Sequence, residues 1–223
     1  MPDGQYSFYL HSDDRTDIAA MATISTISQP LRGEFIRTAA TAGAVVYQVD
    51  ARLPALIPVF FAGQLSAVRL CAVMALVSGT WSSLTGLPDE PENGGAALPV
   101  SPETEYQRRR YTLTLQNCRS GERVESVLTE SSSRLRGDLL RNLIITGLAL
   151  HTTAPELPRL LASMPVPPTS VSELQSLVQQ MAGTADVNRA AAAVPDTPAA
   201  SAAPVSGSDT REIKKNMRRA FGD

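Results

Sequence analysis

The chain has 223 residues, is 43% hydrophobic but only 5% aromatic, and carries a formal net charge of −2. An aliphatic, Ala-rich composition favours helices, and the charge balance excludes a protein that binds nucleic acid through its overall charge, leaving that task to local patches. Cys71 and Cys118 have no ligand-like spacing, so neither a zinc site nor a disulfide framework is indicated, and both read as ordinary thiols of a reducing compartment.

The N-terminal stretch MPDGQYSFYLHSDDR contains no apolar signal-peptide run, which predicts a cytoplasmic protein. Within it, Tyr6, Phe8 and Leu10 alternate with Ser7 and Tyr9, the pattern of a half-buried strand. Asp13 or Asp14 can cap a helix over RTDIAAMATIS, with Ile18, Met21 and either Ile24 or Ala22 on one side. A polar turn leads to a second helix that starts at Arg32-Gly33 and runs through Phe35-Ile36, Ala39-Ala40 and Gly43. The stretch Leu53–Trp81 is strongly apolar, and a membrane span needs about 20 such residues. Pro54, Pro58, Gly63, Gln64 and Arg69 interrupt it, so buried helices are expected instead. Residues 86–105, rich in Gly and Pro, read as a linker.

The chain then repeats itself. Tyr6–Leu10 returns as Tyr111–Leu115, with Leu113 and Leu115 opposing Thr112 and Thr114. Asn117 or Ser120 can cap GERVESVLTES, whose Val124, Val127 and Leu128 share a side. Leu31-Arg32-Gly33 returns as Leu135-Arg136-Gly137, Arg37 as Arg141, Gly43 as Gly147, and Leu53-Pro54 as Leu157-Pro158. Leu139-Leu140 and Leu143-Ile144 carry the apolar periodicity of this second helix. Apolar helical sequence continues to about Met181, broken at Pro165, Pro167 and Pro168. An Ala/Pro/Ser-rich segment over residues 184–208 reads as a flexible tether. After it, Ile213, Met217 and Phe221 recur at four-residue spacing among Lys214, Lys215, Arg218 and Arg219, a short amphipathic basic helix.

Each copy is thus a strand followed by two helices. A lone strand cannot satisfy its backbone, so the copies are expected to pair their strands antiparallel while the helices close over the buried face. The predicted class is mainly α with a two-stranded antiparallel ribbon. Its predicted parts are a first copy with helical extension (5–85), the linker (86–105), a second copy with extension (106–183), the tether (184–208) and the tail (209–223).

Strand–helix–helix with paired strands is the plan of the ribbon-helix-helix DNA-binding proteins. The stretch FYLHSDD and the later ISQPLRGEFIRTAATAGAVVYQVDARLPALI resemble the N-terminal domain of ParR, also called StbB, the centromere-binding adaptor of actin-like ParM plasmid partition. The similar features are the strand, the Arg-Gly helix start, the Ala-Ala-x-x-Gly helix end, Tyr47, and the exit at Asp50, Arg52 and Pro54. The resemblance covers roughly residues 6–60 and again 111–164, and loosely the tail at 209–223. Typical family chains carry one such unit and dimerise, so this chain resembles a fused dimer, a tandem ribbon-helix-helix pseudo-dimer.

A two-stranded ribbon fits the major groove. Its outward side chains are expected to be Ser7 and Tyr9, with Gln5 and His11, and Arg110, Thr112 and Thr114; Arg108, Arg109 and Arg110 precede the second strand. From the pattern alone these are solvated side chains on an exposed sheet face. The resemblance implies base contact, Arg to guanine and Thr to the thymine methyl. At Arg32-Gly33 and Arg136-Gly137, two readings stand: a phosphate held by free helix N–H groups, or a plain helix start with a solvated Arg. Arg37 and Arg141 are alternatively ion-paired within the fold, and Gly43 and Gly147 read as packing or helix-end glycines.

The resemblance further implies double-stranded DNA repeats as ligand, self-association into higher-order arrays, and capture of a ParM-like filament by Ile213, Lys214, Lys215, Met217, Arg218, Arg219 and Phe221. A membrane surface suits a basic amphipathic helix as well, but three apolar anchors are few for it. No phosphate loop ends in Gly-Lys, His11 and His151 lack metal spacing, and no nucleophile has an evident base. The expectation is a binding protein without enzyme activity or cofactor. The alternatives are a cytoskeletal or membrane adaptor with little DNA affinity and an autorepressor of its own operon.

Overall fold

Among the residues described by the computed structural model, 4–80 and 107–192 (from 184 on as backbone alone), the two alternating pentapeptides lie in strands β1 (Gln5–His11) and β2 (Arg108–Thr114). They pair antiparallel within the one chain as a two-stranded sheet. The register sets Tyr6 against Leu113, Phe8 against Tyr111 and Leu10 against Arg109 on one face. Phe8, Leu10, Leu113 and Leu115 are buried there, and the Phe8 and Tyr111 rings stack at 5.2 Å between centroids. One expectation needs correction: Arg108, Arg109 and Arg110 do not precede the second strand but form its first half. Their partners on β1 explain this, since His11, Leu10 and Tyr9 supply the ladder that arginines alone do not suggest.

Each strand feeds two helices, α1 (Arg15–Ser25) and α2 (Arg32–Val49) in the first copy, then α5 (Arg119–Glu130) and α6 (Arg136–Thr153) in the second. Between them, α3 (Leu53–Phe60) and α4 (Ala67–Ser78) replace the apolar run that resembled a membrane span. Leu53, Ile57, Phe61, Leu65, Leu70 and Met74 enter the same core as the ribbon. No described helix is long and apolar enough to cross a membrane. After α6 come α7 (Leu157–Ser163), the counterpart of α3, and α8 (Val171–Ala192), which buries Leu174 and Val178. Helix α8 extends to Ala192, so the segment read as a tether from Thr184 begins helical, in keeping with its Ala-rich sequence. The linker 86–105, the rest of the tether and the tail 209–223 lie outside the described residues.

The two long helices α2 and α6 pack directly on one another at the centre. A Cβ built at Gly43 would clash with the carbonyl of Leu143, and one built at Gly147 with the carbonyl of Ala39. The contacts are reciprocal: Gly43 and Gly147 are equivalent in the repeat, as are Ala39 and Leu143. Here glycine is required for close backbone approach.

The repeat is not obeyed everywhere. Asp14 caps α1 by accepting from the Asp17 N–H at 3.0 Å. The expected caps of α5 are not used; the N-cap is Cys118, without a side-chain cap bond, and Ser120 lies 3.1 Å from its sulfur. The chain doubles back there so closely that a Cβ on Gly121 would meet the Gln116 carbonyl. On α1 the buried face centres on Asp17, Ala20 and Ile24, while Ala22 is exposed and Ile18 half-buried. On α5, Val124, Val127 and Leu128 are buried as the periodicity predicts.

Asp17 is fully buried. Its Oδ1 accepts from Arg141 Nε at 2.6 Å, and its Oδ2 from the His11 N–H at 2.9 Å. The same Arg141 reaches Asp14 at 3.2 Å. An arginine of the second copy thereby ties down the first copy's helix start and the end of β1. Arg37, its equivalent, pairs instead with Glu34 of its own helix, at 2.6 Å. Burial pushes the Asp17 carboxyl above its ordinary range, against the pull of the Arg141 and His11 hydrogen bonds.

Gly43→Ala or Gly147→Ala should cost about 3 kcal/mol by overpacking. For a chain of this size that lowers the thermal midpoint by about 10 °C in calorimetry; an unchanged midpoint would show that the helices can separate freely. Arg141→Met should leave a buried carboxylate unpaired, at about 3 kcal/mol near neutral pH. The folded state then holds its Asp17 proton to higher pH than the unfolded chain, so the variant loses stability as pH rises from about 4. Urea unfolding at pH 4 and pH 7 reads this directly. An equal loss at both would assign the effect to packing.

Candidate nucleic-acid interface

Because side chains alternate across a strand, the register that buries Phe8 and Leu10 turns another set outward. These pair as Gln5 with Thr114, Ser7 with Thr112, Tyr9 with Arg110 and His11 with Arg108. The expected outward residues therefore come together on one face. Arg109 does not join them; it is opposite Leu10 on the other face, with its guanidinium 5.3 Å from the Tyr111 ring.

The outward arginines lean toward the middle of the ribbon. Arg108 stands 3.5 Å over the Tyr9 ring, a cation–π contact. Arg110 donates from Nε and Nη2 to Ser7 Oγ at 3.2 and 3.0 Å. Ion pairs among the described residues involve Arg37, Arg52 and Arg141, and none involves Arg108, Arg109 or Arg110. Among the described residues, Arg108 and Arg110 are thus held by a ring and a hydroxyl, and Arg109 lies near a ring, with no carboxylate paired to any of them.

The flanking helix starts are more divided. Neither α2 nor α6 has a side-chain cap at its N-terminus, where Leu31 and Leu135 occupy the cap positions. The Arg32 N–H, the first of α2, donates to the Gln29 carbonyl, and the Leu135 N–H to the Ser132 carbonyl at 3.0 Å, so both starts are partly satisfied by the turn before them. Gly137 lies next to the ribbon, a Cβ there falling 3.6 Å from the Ser7 carbonyl, and a Cβ at Gly33 would fall 3.8 Å from Arg37 Nη1. Arg32 and Arg136, however, are spent inside the fold. Arg32 donates to the carbonyls of Ile27 at 2.8 Å and Ser25 at 3.2 Å. Arg136 donates to those of Leu128 at 3.0 Å and Ser131 at 3.3 Å. Each braces the turn between the two helices of its copy, binding carbonyls at and just beyond the ends of α1 and α5. Glu34 and Asp138 in the first turns add negative charge that a phosphate would meet.

Sequence reasoning missed Asp17 as the residue that fixes β1 through the His11 N–H; an acidic residue in a first helical turn reads simply as a dipole partner. His151 packs edge-on to Phe35 at 4.9 Å, with Nδ1 3.2 Å from the Pro155 carbonyl. Among the described residues no group of three or more His, Cys, Asp or Glu side chains could hold a metal ion. The tail residues Ile213, Lys214, Lys215, Met217, Arg218, Arg219 and Phe221 lie outside the described residues.

Comparison with known proteins matches the duplication. The family model described as plasmid stability protein matches residues 4–74 and, a second time, residues 109–178, together more than half of the chain. No curated protein and no solved structure matches it.

Proposed function

The chain belongs to the plasmid stability protein family, and from that premise we propose that it is a DNA-binding adaptor of plasmid segregation. In this reading the outer face of the ribbon enters the major groove of centromere-like repeats. Tail residues 209–223 couple the complex to an actin-like ParM filament, and bound chains assemble into arrays. The chemistry is binding, with any nucleotide hydrolysis left to the partner, and the setting is the cytoplasm. The observation that carries the reading is the outer ribbon face itself, where Ser7, Tyr9, Thr112 and Thr114 accompany Arg108 and Arg110, which have no carboxylate partner among the described residues. The N-termini of α2 and α6, at Gly33 and Gly137, would meet phosphates through the N–H groups that no side chain caps. Arg32 and Arg136 serve there as braces.

A second reading rests on the bare charge of β1, which has no Lys or Arg, and on the net charge of −2. There the ribbon serves only to join the copies, and the tail alone engages a filament or membrane. An autorepressor would need the ribbon but leave the tail without a task.

A mobility shift with the DNA beside its own gene separates these. Replacing Arg108, Arg109 and Arg110 together with Ala should weaken binding at least about tenfold and reduce the salt slope by about 0.9 for each phosphate that is no longer neutralised. Thr112→Ala with Thr114→Ala should relax sequence preference more than affinity. Unchanged binding in both variants would remove the ribbon as the reader.

Deleting residues 209–223, or Phe221→Ala, should abolish filament capture and plasmid maintenance, since a buried aromatic anchor is worth about 2 kcal/mol or more. DNA affinity should stay within about twofold of the full chain. Loss of both activities would make the tail part of the DNA-binding fold, and retained filament capture would remove the adaptor mechanism.

A further inference from the structure

The register of the ribbon carries information that a symmetric dimer could not. In the repeat, Ser7 is equivalent to Thr112, and these two residues are opposite each other. The pair therefore marks the pseudo-two-fold axis of the ribbon. In a dimer of identical chains the outward residues on either side of that axis would be the same. Here one side carries Tyr9 and Arg110, then His11 and Arg108, while the other carries Gln5 and Thr114. By the repeat, Gln5 stands where the second copy has Arg110, and Thr114 where the first has Tyr9.

The two sides differ in chemistry. On the first, the Arg108 guanidinium over Tyr9 and the Arg110 guanidinium on Ser7 gather two cations next to the axis. Arg110 has five N–H donors. Ser7 occupies the Nε side and one Nη2 contact, which leaves the Nη1 end for the O6 and N7 acceptors of a guanine. The second side offers an amide and a hydroxyl with a methyl group, a set suited to adenine and thymine. The supporting frame differs as well: Arg141 reaches Asp17, which holds the His11 N–H at the Arg108 end, whereas Cys118 and Gly121 take the places of Asp14 and Asp17 at the other end, where Glu125 lies beside Gly4 and Tyr6 instead.

We propose that this chain reads a non-palindromic DNA element in a single orientation. Arg110, aided by Arg108, specifies guanine in one half, and Gln5 and Thr114 specify A·T pairs in the other. The proposal rests on the ribbon as DNA reader and adds that fusion has turned a symmetric reader into a directional one. Repeats of such an element would all be bound in one direction, giving an array of chains with a defined polarity.

The test is selection of randomised double-stranded DNA with the full chain at physiological salt, followed by affinity measurements on three duplexes. These are the selected site and two palindromes, each made by doubling one half of it. The selected site should be non-palindromic and bind at least about tenfold tighter than either palindrome. Arg110→Gln should flatten preference in the guanine half and leave the other half sharp, and Thr114→Ala should do the reverse. A palindromic selected site, or a doubled half binding as well as the selected site, overturns the directional reading while DNA binding stands. Absence of any enriched sequence and of salt-dependent binding overturns the DNA reading itself, and this inference with it.

Discussion

A strand in each copy has backbone N–H and C=O groups with no partner inside that copy, and a two-stranded ladder is the smallest arrangement that pairs them on one side. The chain meets this constraint internally: β1 and β2 bond along their full length from Gln5–Thr114 to His11–Arg108, with Leu115 to Gly4 and Ser12 to Gln107 extending the ladder. Everything else follows from bringing these strands together. Phe8 and Leu10 against Tyr111 and Leu113 supply the apolar face that the helices cover. The antiparallel register brings the two copies face to face, so that α2 and α6 must cross, and Gly43 and Gly147 let them do so at backbone contact. A residue at either position with a side chain would have to lift one helix off the other, and the ribbon with it.

Covalent linkage of the copies frees positions that a dimer of identical chains must keep equal. Where the first copy has Asp14 and Asp17, the second has Cys118 and Gly121, and only Arg141 of the equivalent arginines finds a buried carboxylate. At the exit of α2, Asp50 pairs with Arg52 at 2.7 Å, and Arg52 also donates to the Val77 carbonyl at 2.8 Å, joining the ends of α2 and α4. The second copy has Ala154 and Glu156 there. Thr146, fully buried on α6 with its hydroxyl unpartnered, stands where α2 has Ala42. The helices cross with near symmetry, while the polar contacts around them do not. Each such contact, whether within a copy or between the two as at Arg141–Asp17, can drift singly once each copy is written separately in the chain.

Much of this was legible in the sequence. The alternation in Tyr6–Leu10 and Tyr111–Leu115, the Arg-Gly starts of α2 and α6 and the glycines at their crossing are all local or periodic signals, and the repeat doubled each of them. The start of β2 was not legible, because Arg108 and Arg109 carry no alternation of their own and are strand only by virtue of their partners. The cap of α5 was hidden for a similar reason: Gly121 is placed by its distance from the Gln116 carbonyl, which no cap preference encodes. Arg32 and Arg136 were placed correctly at the helix starts but misjudged in role, since carbonyls at the end of the preceding helix compete for a guanidinium as well as any phosphate does.

The arginines of this chain fall into groups by what holds them, and that division decides where a near-neutral protein can attract a polyanion. Arg37, Arg52 and Arg141 are paired with carboxylates, so their charge is cancelled at short range. Arg32 and Arg136 are fixed on carbonyls, and their charge still acts near the ribbon: burial raises the Tyr111 and Tyr6 phenols, while Arg109 and Arg32 pull the first back and Arg136 the second. Arg108, Arg109 and Arg110 rest on aromatic rings and a serine hydroxyl. A ring or a hydroxyl orients a guanidinium without neutralising it, and a pre-oriented side chain gives up less rotamer freedom on binding. On the ribbon itself the cations of the outward face lie at the end where Tyr9 and His11 face β2. Asp17, which accepts the His11 N–H at 2.9 Å, stands at that same end but is itself paired with Arg141, and exposed charges more than a Debye length of about 8 Å away are largely screened. A net charge of −2 is in this way compatible with the local attraction for a polyanion that the proposed DNA reading requires.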